Sequence, residues 1–212
     1  CRSTNKCFTL PHRLIGEESV SEPVLTDAPT WIIDPIDGTT NFIHGFPLTC
    51  ISIGLTVNRE PVLGVVYNPI LEHMFTARKG QGAFLNSRRI HVSNVTGRER
   101  AFLNSRRIHV SDVTDMSKAL VGLEVPTTQR PSTFEMRVKR GRAIEQVARE
   151  IRGLGSIVIG LCFVAMGGLD VYQYEGGIHC WDVAAASVIL LEAGGFITDP
   201  RGTDTWASRM PL

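Results

Sequence analysis

The 212-residue chain predicts a mixed fold, α+β in its first half and α/β in its second. Three observations carry that expectation. β-Branched segments crowd the first third, helical periodicity begins only at Pro131, and helices then alternate with short strands. The division this implies sets residues 1–114, with an antiparallel sheet, apart from residues 115–212.

Thr30 to Ile33, Thr49 to Val57 and Pro61 to Tyr67 are rich in Val, Ile and Thr, and turn formers at Asn58-Arg59-Glu60 and Asn68-Pro69 break them into strands. His73 to Ala77 is a further strand. The glycines of Lys79-Gly80-Gln81-Gly82 close it as a plain hairpin loop, since they lack the spacing of a phosphate loop.

A duplication follows. Ala83 to Ser93 reads AFLNSRRIHVS, and Ala101 to Ser111 repeats it without a change. Two copies do not make a solenoid, so the repeat reads as a recent tandem duplication or a splicing or gene-model error. One sheet position takes one strand, so one of the two copies is expected to loop out at small entropic cost.

Pro131 to Arg152 has a helical pattern, with Phe134, Val138 and Val147 on one face, and Arg137, Lys139, Arg140 and Arg142 read as a solvated face. Ser156 to Met166 is a second helix. Strand-like Asp170 to Tyr174 comes next, then a helix over Asp182 to Ala193 stopped by Gly194-Gly195, then a short strand at Phe196 to Thr198.

Composition narrows the function classes. A formal charge of +1 gives no global attraction to nucleic acid or membrane, so partner choice falls to a local site. No apolar run is long enough to span a bilayer. Five cysteines without a C-x-x-C pair argue against a disulfide framework or structural zinc, and point to a reducing, cytoplasmic setting.

The densest local signal is Trp31-Ile32-Ile33-Asp34-Pro35-Ile36-Asp37-Gly38-Thr39-Thr40-Asn41. A buried strand runs out at Asp34, Pro35 halts it, Gly38 permits a tight turn, and Thr39 or Thr40 suits a helix N-cap. Asp34 and Asp37 then lie on a short turn beside a helix start, where free N–H groups favour a phosphate. Two carboxylates with backbone donors suit hard cations together with a phosphate oxygen. Taken alone, the motif is equally a turn with an ordinary cap. Glu17 and Glu18 upstream, Asp182 at a helix start and Glu175 before it supply further acids, each of which has a plain surface or capping reading on its own.

Together these segments resemble the inositol monophosphatase family. The stretches that carry the resemblance are LIGEES at Leu14 to Ser19, WIIDPIDGTTNFIHGFP at Trp31 to Pro47, and GIHCWDVAAASVILLEAGG at Gly177 to Gly195. The resemblance implies a layered α-β-α-β sugar-phosphatase-like fold whose first unit, residues 1–114, binds the metal. It also implies Mg²⁺-dependent hydrolysis of a small-molecule phosphate ester, most closely inositol monophosphate, by a lithium-sensitive cytoplasmic homodimer. Glu17, Asp34 and the carbonyl of Ile36 would hold one Mg²⁺, and Asp34, Asp37 and Asp182 the second. Gly38 and Thr39 would donate backbone N–H groups to the phosphate, and Glu17 and Thr39 would orient water. Glu175 would bind a ring hydroxyl, and Gly155, Ser156 and Ile157 would line the ring pocket. Substrate would also contact Glu17, Ile36, Asp37 and Asp182.

The sequence departs from the family pattern in places. Ahead of Leu14 it shows no counterpart of the family's two helices and D-x-V-T-x-x-D motif, so the opening helical layer is expected to be lacking and an apolar sheet face exposed. Asp199 to Leu212 diverges from the usual ending, and Ile157 stands where relatives often have a small residue. The alternative is a truncated, catalytically weak or inactive family member, acting as an interaction partner or arising from a defective gene model.

Overall fold

Alternating β-branched residues build a seven-stranded sheet in the computed structural model, which describes residues 12–18, 24–90, 101–103, 106–108, 113–124, 131–174 and 177–198. Its strands are β1 (Arg13–Gly16), β2 (Thr30–Asp37), β3 (Cys50–Val57), β4 (Glu60–Asn68), β5 (His73–Arg78), β6 (Ala83–Leu85) and β7 (Arg88–Ile90), lying side by side in chain order. From β2 to β7 every pairing is antiparallel, as the sequence predicts. β1 is the correction. It runs parallel to β2 with Gly16 opposite Ile33, so both strands deliver the residues that follow to the same end of the sheet.

A second correction concerns Pro35. The strand does not halt there but continues to Asp37, with a register shift against β3 between Asp34 and Asp37. Proline lacks the ladder N–H, and the irregularity accommodates it. After β2 comes the short helix α1 (Thr39–Ile43), whose N-cap is Gly38 at φ 80° rather than either threonine. The turn needs a left-handed residue at that point, and glycine adopts that conformation without a steric cost.

Both copies of the repeat form hairpins. The first is β6–β7 within the large sheet, and the second is β8 (Ala101–Leu103) with β9 (Arg106–Ile108), a two-stranded sheet of its own. One copy is therefore left out of the main sheet as expected, and it is the second, which pairs with itself instead of remaining a loose loop.

The second half adds β10 (Leu120–Glu124), α2 (Pro131–Glu145), β11 (Glu150–Arg152), α3 (Ile157–Ala165), β12 (Val171–Tyr174) and α4 (Cys180–Glu192). Helix α2 ends earlier than its sequence pattern suggests, because 150–152 pairs in parallel with β10. Strand pairing satisfies that backbone in place of a helix end. β12 flanks β10 on the other side, also parallel. The expected strand at 196–198 is not formed, and Phe196 is exposed.

Helices α3 and α4 cover one face of the seven-stranded sheet. Close approach there is a matter of small residues. A Cβ on Gly64 would lie 2.2 Å from the Ala185 carbonyl oxygen, and one on Gly54 would lie 2.9 Å from the Ala184 Cβ. The run Val183 to Ala186 is buried against the strands accordingly. On the opposite face Ile51, Tyr67 and Met74 are cross-strand neighbours, and Ile51 and Met74 are exposed, as is Leu14 at the edge. Among the described residues, no helix is long and apolar enough to cross a membrane, and Cys50, Cys162 and Cys180 are free thiols.

Candidate metal centre

Residues three apart on a regular strand face opposite sides of a sheet. Asp34 and Asp37 escape that rule because the irregularity on β2 falls between them, and both carboxylates are buried. Asp182 reaches them from α4. The tight packing of that helix on β3 and β4 fixes where its first turn lies, and Ser52 Oγ donates to the Trp181 carbonyl at 3.5 Å. Asp182 is not the N-cap but the third helical residue. Its Oδ2 accepts the His179 N–H at 2.7 Å, while His179 caps the helix and stacks on Trp181.

One carboxylate oxygen from each of Asp34, Asp37 and Asp182 falls within 4.8 Å of the others. Glu17 follows β1 and donates its N–H to the Ile33 carbonyl at 3.2 Å, which keeps it beside β2. Its carboxylate lies near enough to act on Asp34 as a neighbouring charge, although the residue is exposed and is not one of the three acids whose oxygens converge. The parallel pairing of β1 and β2 is what makes this meeting geometrically available.

Like charges confined out of water are costly, and the acids respond by holding protons. Burial, then the neighbouring Asp37 and Glu17 carboxylates, pushes Asp34 well above the ordinary carboxylate range. Asp37 is raised from 3.8 to about 6, chiefly by burial, against hydrogen bonds from Ser156, Val158 and Cys50 that lower it and a repulsion from Asp182 that raises it. Asp182 is also raised, again first by burial. A divalent cation would remove this frustration, since it pairs with the ionised forms. An all-oxygen donor set without histidine nitrogen or thiolate fits a hard ion such as Mg²⁺.

Around the acids, other predicted residues take definite places. Asp34 Oδ1 accepts the Ile36 N–H at 2.9 Å, closing an Asx-type turn. Thr39 Oγ1 donates to the Ile36 carbonyl at 3.2 Å, so two predicted site groups bond to one another here. Gly38 fits against the 155–156 segment, where an added Cβ would lie 3.2 Å from the Gly155 carbonyl oxygen and 3.3 Å from Ser156 Cβ. Ser156 is buried and caps α3 through the Ile159 N–H. Glu18 is exposed and takes no part in the acid cluster. Glu175, the predicted ring-hydroxyl ligand, lies outside the described residues.

The sequence reading missed the groups that hold this arrangement. Glu124 Oε1 accepts the N–H of Leu154 at 2.7 Å and of Gly155 at 3.0 Å. Asn41 donates from its amide to the carbonyls of Leu48 and Leu154, both at 2.7 Å, tying α1 to the same loop. Tyr172 donates to the Ser156 carbonyl at 3.3 Å, through a slot that exists because Gly122 and Gly160 lack side chains. Cys50 donates weakly to Asp37. None of these had a sequence signature, because their partners are remote in the chain. The Ser156 cap before an apolar run was the one signal available, and it marked the helix but not its carboxylate partner.

Comparison with known proteins agrees with the geometry. The sequence profile described as "Inositol monophosphatase family" matches residues 8–211. The chain is 43% identical over 204 residues to "Inositol monophosphatase 2" of Solanum lycopersicum, covering 94% of this chain and 69% of that protein. It is 43% identical over 195 residues to "Inositol monophosphatase 1" of Bos taurus, covering 90% of this chain and 64% of that one. Among solved structures, a Thermotoga maritima IMPase superposes with a TM-score of 0.73 at 32% identity, over 94% of this chain and 67% of that chain. The chain thus spans roughly two thirds of the length of these relatives.

Proposed function

Because the chain belongs to the inositol monophosphatase family, we propose that it hydrolyses the phosphate monoester of a small polyol, inositol monophosphate foremost, with Mg²⁺. The observation that carries this reading is the convergence of Asp34, Asp37 and Asp182 from β2 and α4, where burial leaves their charged forms in need of a counter-ion.

In this reading Glu17, Asp34 and the Ile36 carbonyl would hold one Mg²⁺, and Asp34, Asp37 and Asp182 would hold the other. When bound, the ions neutralise phosphate charge, acidify water and stabilise the departing alkoxide. The chain's own groups do the rest. Gly38 and Thr39 direct backbone N–H groups at the phosphate, which fixes its orientation. Glu17 and the Thr39 hydroxyl hold the attacking water, and Glu17 accepts its proton. The water oxygen bonds to phosphorus as the ester P–O bond breaks, and the proton taken up by Glu17 is returned through water to the departing oxygen, yielding the free polyol and inorganic phosphate. Gly155 and Ile157 would line the ring, and Glu175 would bind one of its hydroxyls. Inhibition by Li⁺, a homodimeric state and a cytoplasmic location belong to the same reading.

The test is phosphate release from myo-inositol 1-phosphate with Mg²⁺ and with EDTA. Release is expected only with Mg²⁺ and is expected to disappear in Asp182→Asn. Equal release under both conditions, or wild-type turnover in Asp182→Asn, overturns the assignment. Saturable Mg²⁺ binding without release favours the catalytically weak alternative.

A further inference from the structure

The hydroxyl of Ser156 offers little to a ligand, because it is buried and bonded on both sides. Its oxygen accepts the Ile159 N–H at 3.1 Å, and its proton goes to Asp37 Oδ2. Two further donors reach that same oxygen, the Val158 N–H at 3.3 Å and Cys50 Sγ at 3.7 Å. All three converge on Oδ2, which leaves Oδ1 as the oxygen of Asp37 available to an ion. A carboxylate free to rotate would present either oxygen, or both, and would spread its charge accordingly. Here the rotation is stopped by groups from β3 and the first turn of α3.

The geometry points to Ser156 as a positioning residue for the cation site: it holds Asp37 so that one fixed oxygen is presented to the ion. The proposal deepens the metal reading above and rests on it. It reassigns Ser156 from the ring pocket to the carboxylate, and it links two parts of the site. The loop at 153–156 is clamped by Glu124, Asn41 and Tyr172, and through Ser156 that clamp extends to the ion ligand. Hydrogen bonds to a ligand carboxylate fix its orientation and basicity, and losing one lowers metal affinity by about 10–100-fold.

Ser156 has two jobs, and the substitutions must separate them. Ser156→Gly preserves most of the helix cap, since glycine is nearly as good there as serine, but removes the donor. Ser156→Thr keeps both the cap and the donor. Ser156→Ala loses both. Mg²⁺ binding is measured by calorimetry on each whole protein, beside thermal unfolding in EDTA and the Mg²⁺ dependence of phosphate release. Ser156→Gly is expected to raise the Mg²⁺ dissociation constant about tenfold or more, with its EDTA melting temperature close to that of wild type and kcat recovered at saturating Mg²⁺. Ser156→Thr is expected to bind Mg²⁺ as wild type does. Wild-type affinity in Ser156→Gly overturns the proposal, as does a loss in Ser156→Thr as large as that in Ser156→Gly. An affinity loss that tracks the melting temperature across all three variants overturns it too, because a purely structural role would behave that way. Wild-type protein that fails to bind Mg²⁺ at all refutes the metal reading itself.

Discussion

The two edges of the large sheet are specified in opposite ways. At the β1–β3 edge each functional residue has one place, because its partners come from remote parts of the chain: Asp37 is held by Ser156 and Val158, and Ser52 meets the start of α4. At the β6–β7 edge the sequence is present twice. Ala83, Phe84 and Leu85 pair with Ile90, Arg89 and Arg88, and Ala101, Phe102 and Leu103 pair with Ile108, Arg107 and Arg106 in the same register. Identical residues thus make the same hairpin, yet one joins the sheet and the other does not. The difference teaches that local sequence suffices for a hairpin, whereas its place in the fold is decided by what flanks it.

The flanks differ clearly. Before the first copy, Gly80 and Gly82 both have positive φ, and their N–H groups bind the two oxygens of Glu192, each at 2.7 Å. The residues at the matching positions before the second copy are Arg98 and Arg100. An arginine in the left-handed region costs about 1–2 kcal/mol. Within the first hairpin, Asn86 and Ser87 have positive φ and form the tight turn, and Asn86 bonds to Met74 and Glu72.

The largest expected effect lies at the site edge. Asp37→Asn or Asp182→Asn should lower kcat/KM by more than about 100-fold, beyond the upper end for residues that only support a ligand. Steady-state phosphate release measures it, and a smaller loss would mean that the edge tolerates substitution as the other one does.

Stability without metal should depend on pH at the same edge. Asp37 holds its proton more tightly folded, near 6, than at its ordinary 3.8, so the folded state binds more protons between those values. Its contribution is fully present below about 3.8 and is lost as pH rises through about 6, on the order of 3 kcal/mol. Denaturant unfolding in EDTA should show stability falling across that window, and Mg²⁺ at about 100-fold its dissociation constant should restore about 2.7 kcal/mol at neutral pH. A flat profile in EDTA would remove the claim that burial frustrates these acids.

Next in size is Gly64→Ala. Its new Cβ would press on the backbone of Ala185, which cannot rotate away, so a loss of about 1–3 kcal/mol is expected together with weaker Mg²⁺ binding as α4 shifts Asp182. Chemical denaturation and calorimetry measure the two effects. At the far edge, Gly82→Arg should weaken docking of the first copy by about 1–2 kcal/mol. Hydrogen exchange should then show amides of 83–90 losing protection, with phosphate release little changed. The smallest effect belongs to deletion of residues 94–111, one unit of the repeat. It shortens the segment between β7 and the turn at Met116 and should stabilise the protein by about 1 kcal/mol through loop closure. Thermal unfolding checks it, and a marked loss would show that the second hairpin supports the fold.

Much of the site could be read from the sequence because motifs with strong local chemistry carry it. Asp34-Pro35-Ile36-Asp37-Gly38 announces a turn with acids, and the small residues after Asp182 announce a closely packed helix. Strand β1 and its parallel pairing were not legible, since Arg13–Gly16 has a single β-branched residue and no local signal of a strand or of its direction. Nor was the end of α2, where a partner strand competes with helical periodicity for the same backbone.

The sequence by itself determined which segments extend, which coil, which acids are available, and that one hairpin is encoded twice. Those choices depend on side-chain shape, backbone freedom and spacing within a few residues. Only the tertiary structure decided that Asp182 meets Asp34 and Asp37, that Ser156 is spent on a carboxylate, and which hairpin copy enters the sheet. Those outcomes depend on the close approach of α4 at Gly54 and Gly64, on the irregularity at Pro35 and on Glu192 across the hairpin loop. Each is an interaction between groups far apart in the chain, whose geometry exists only once the sheet and its helices have packed.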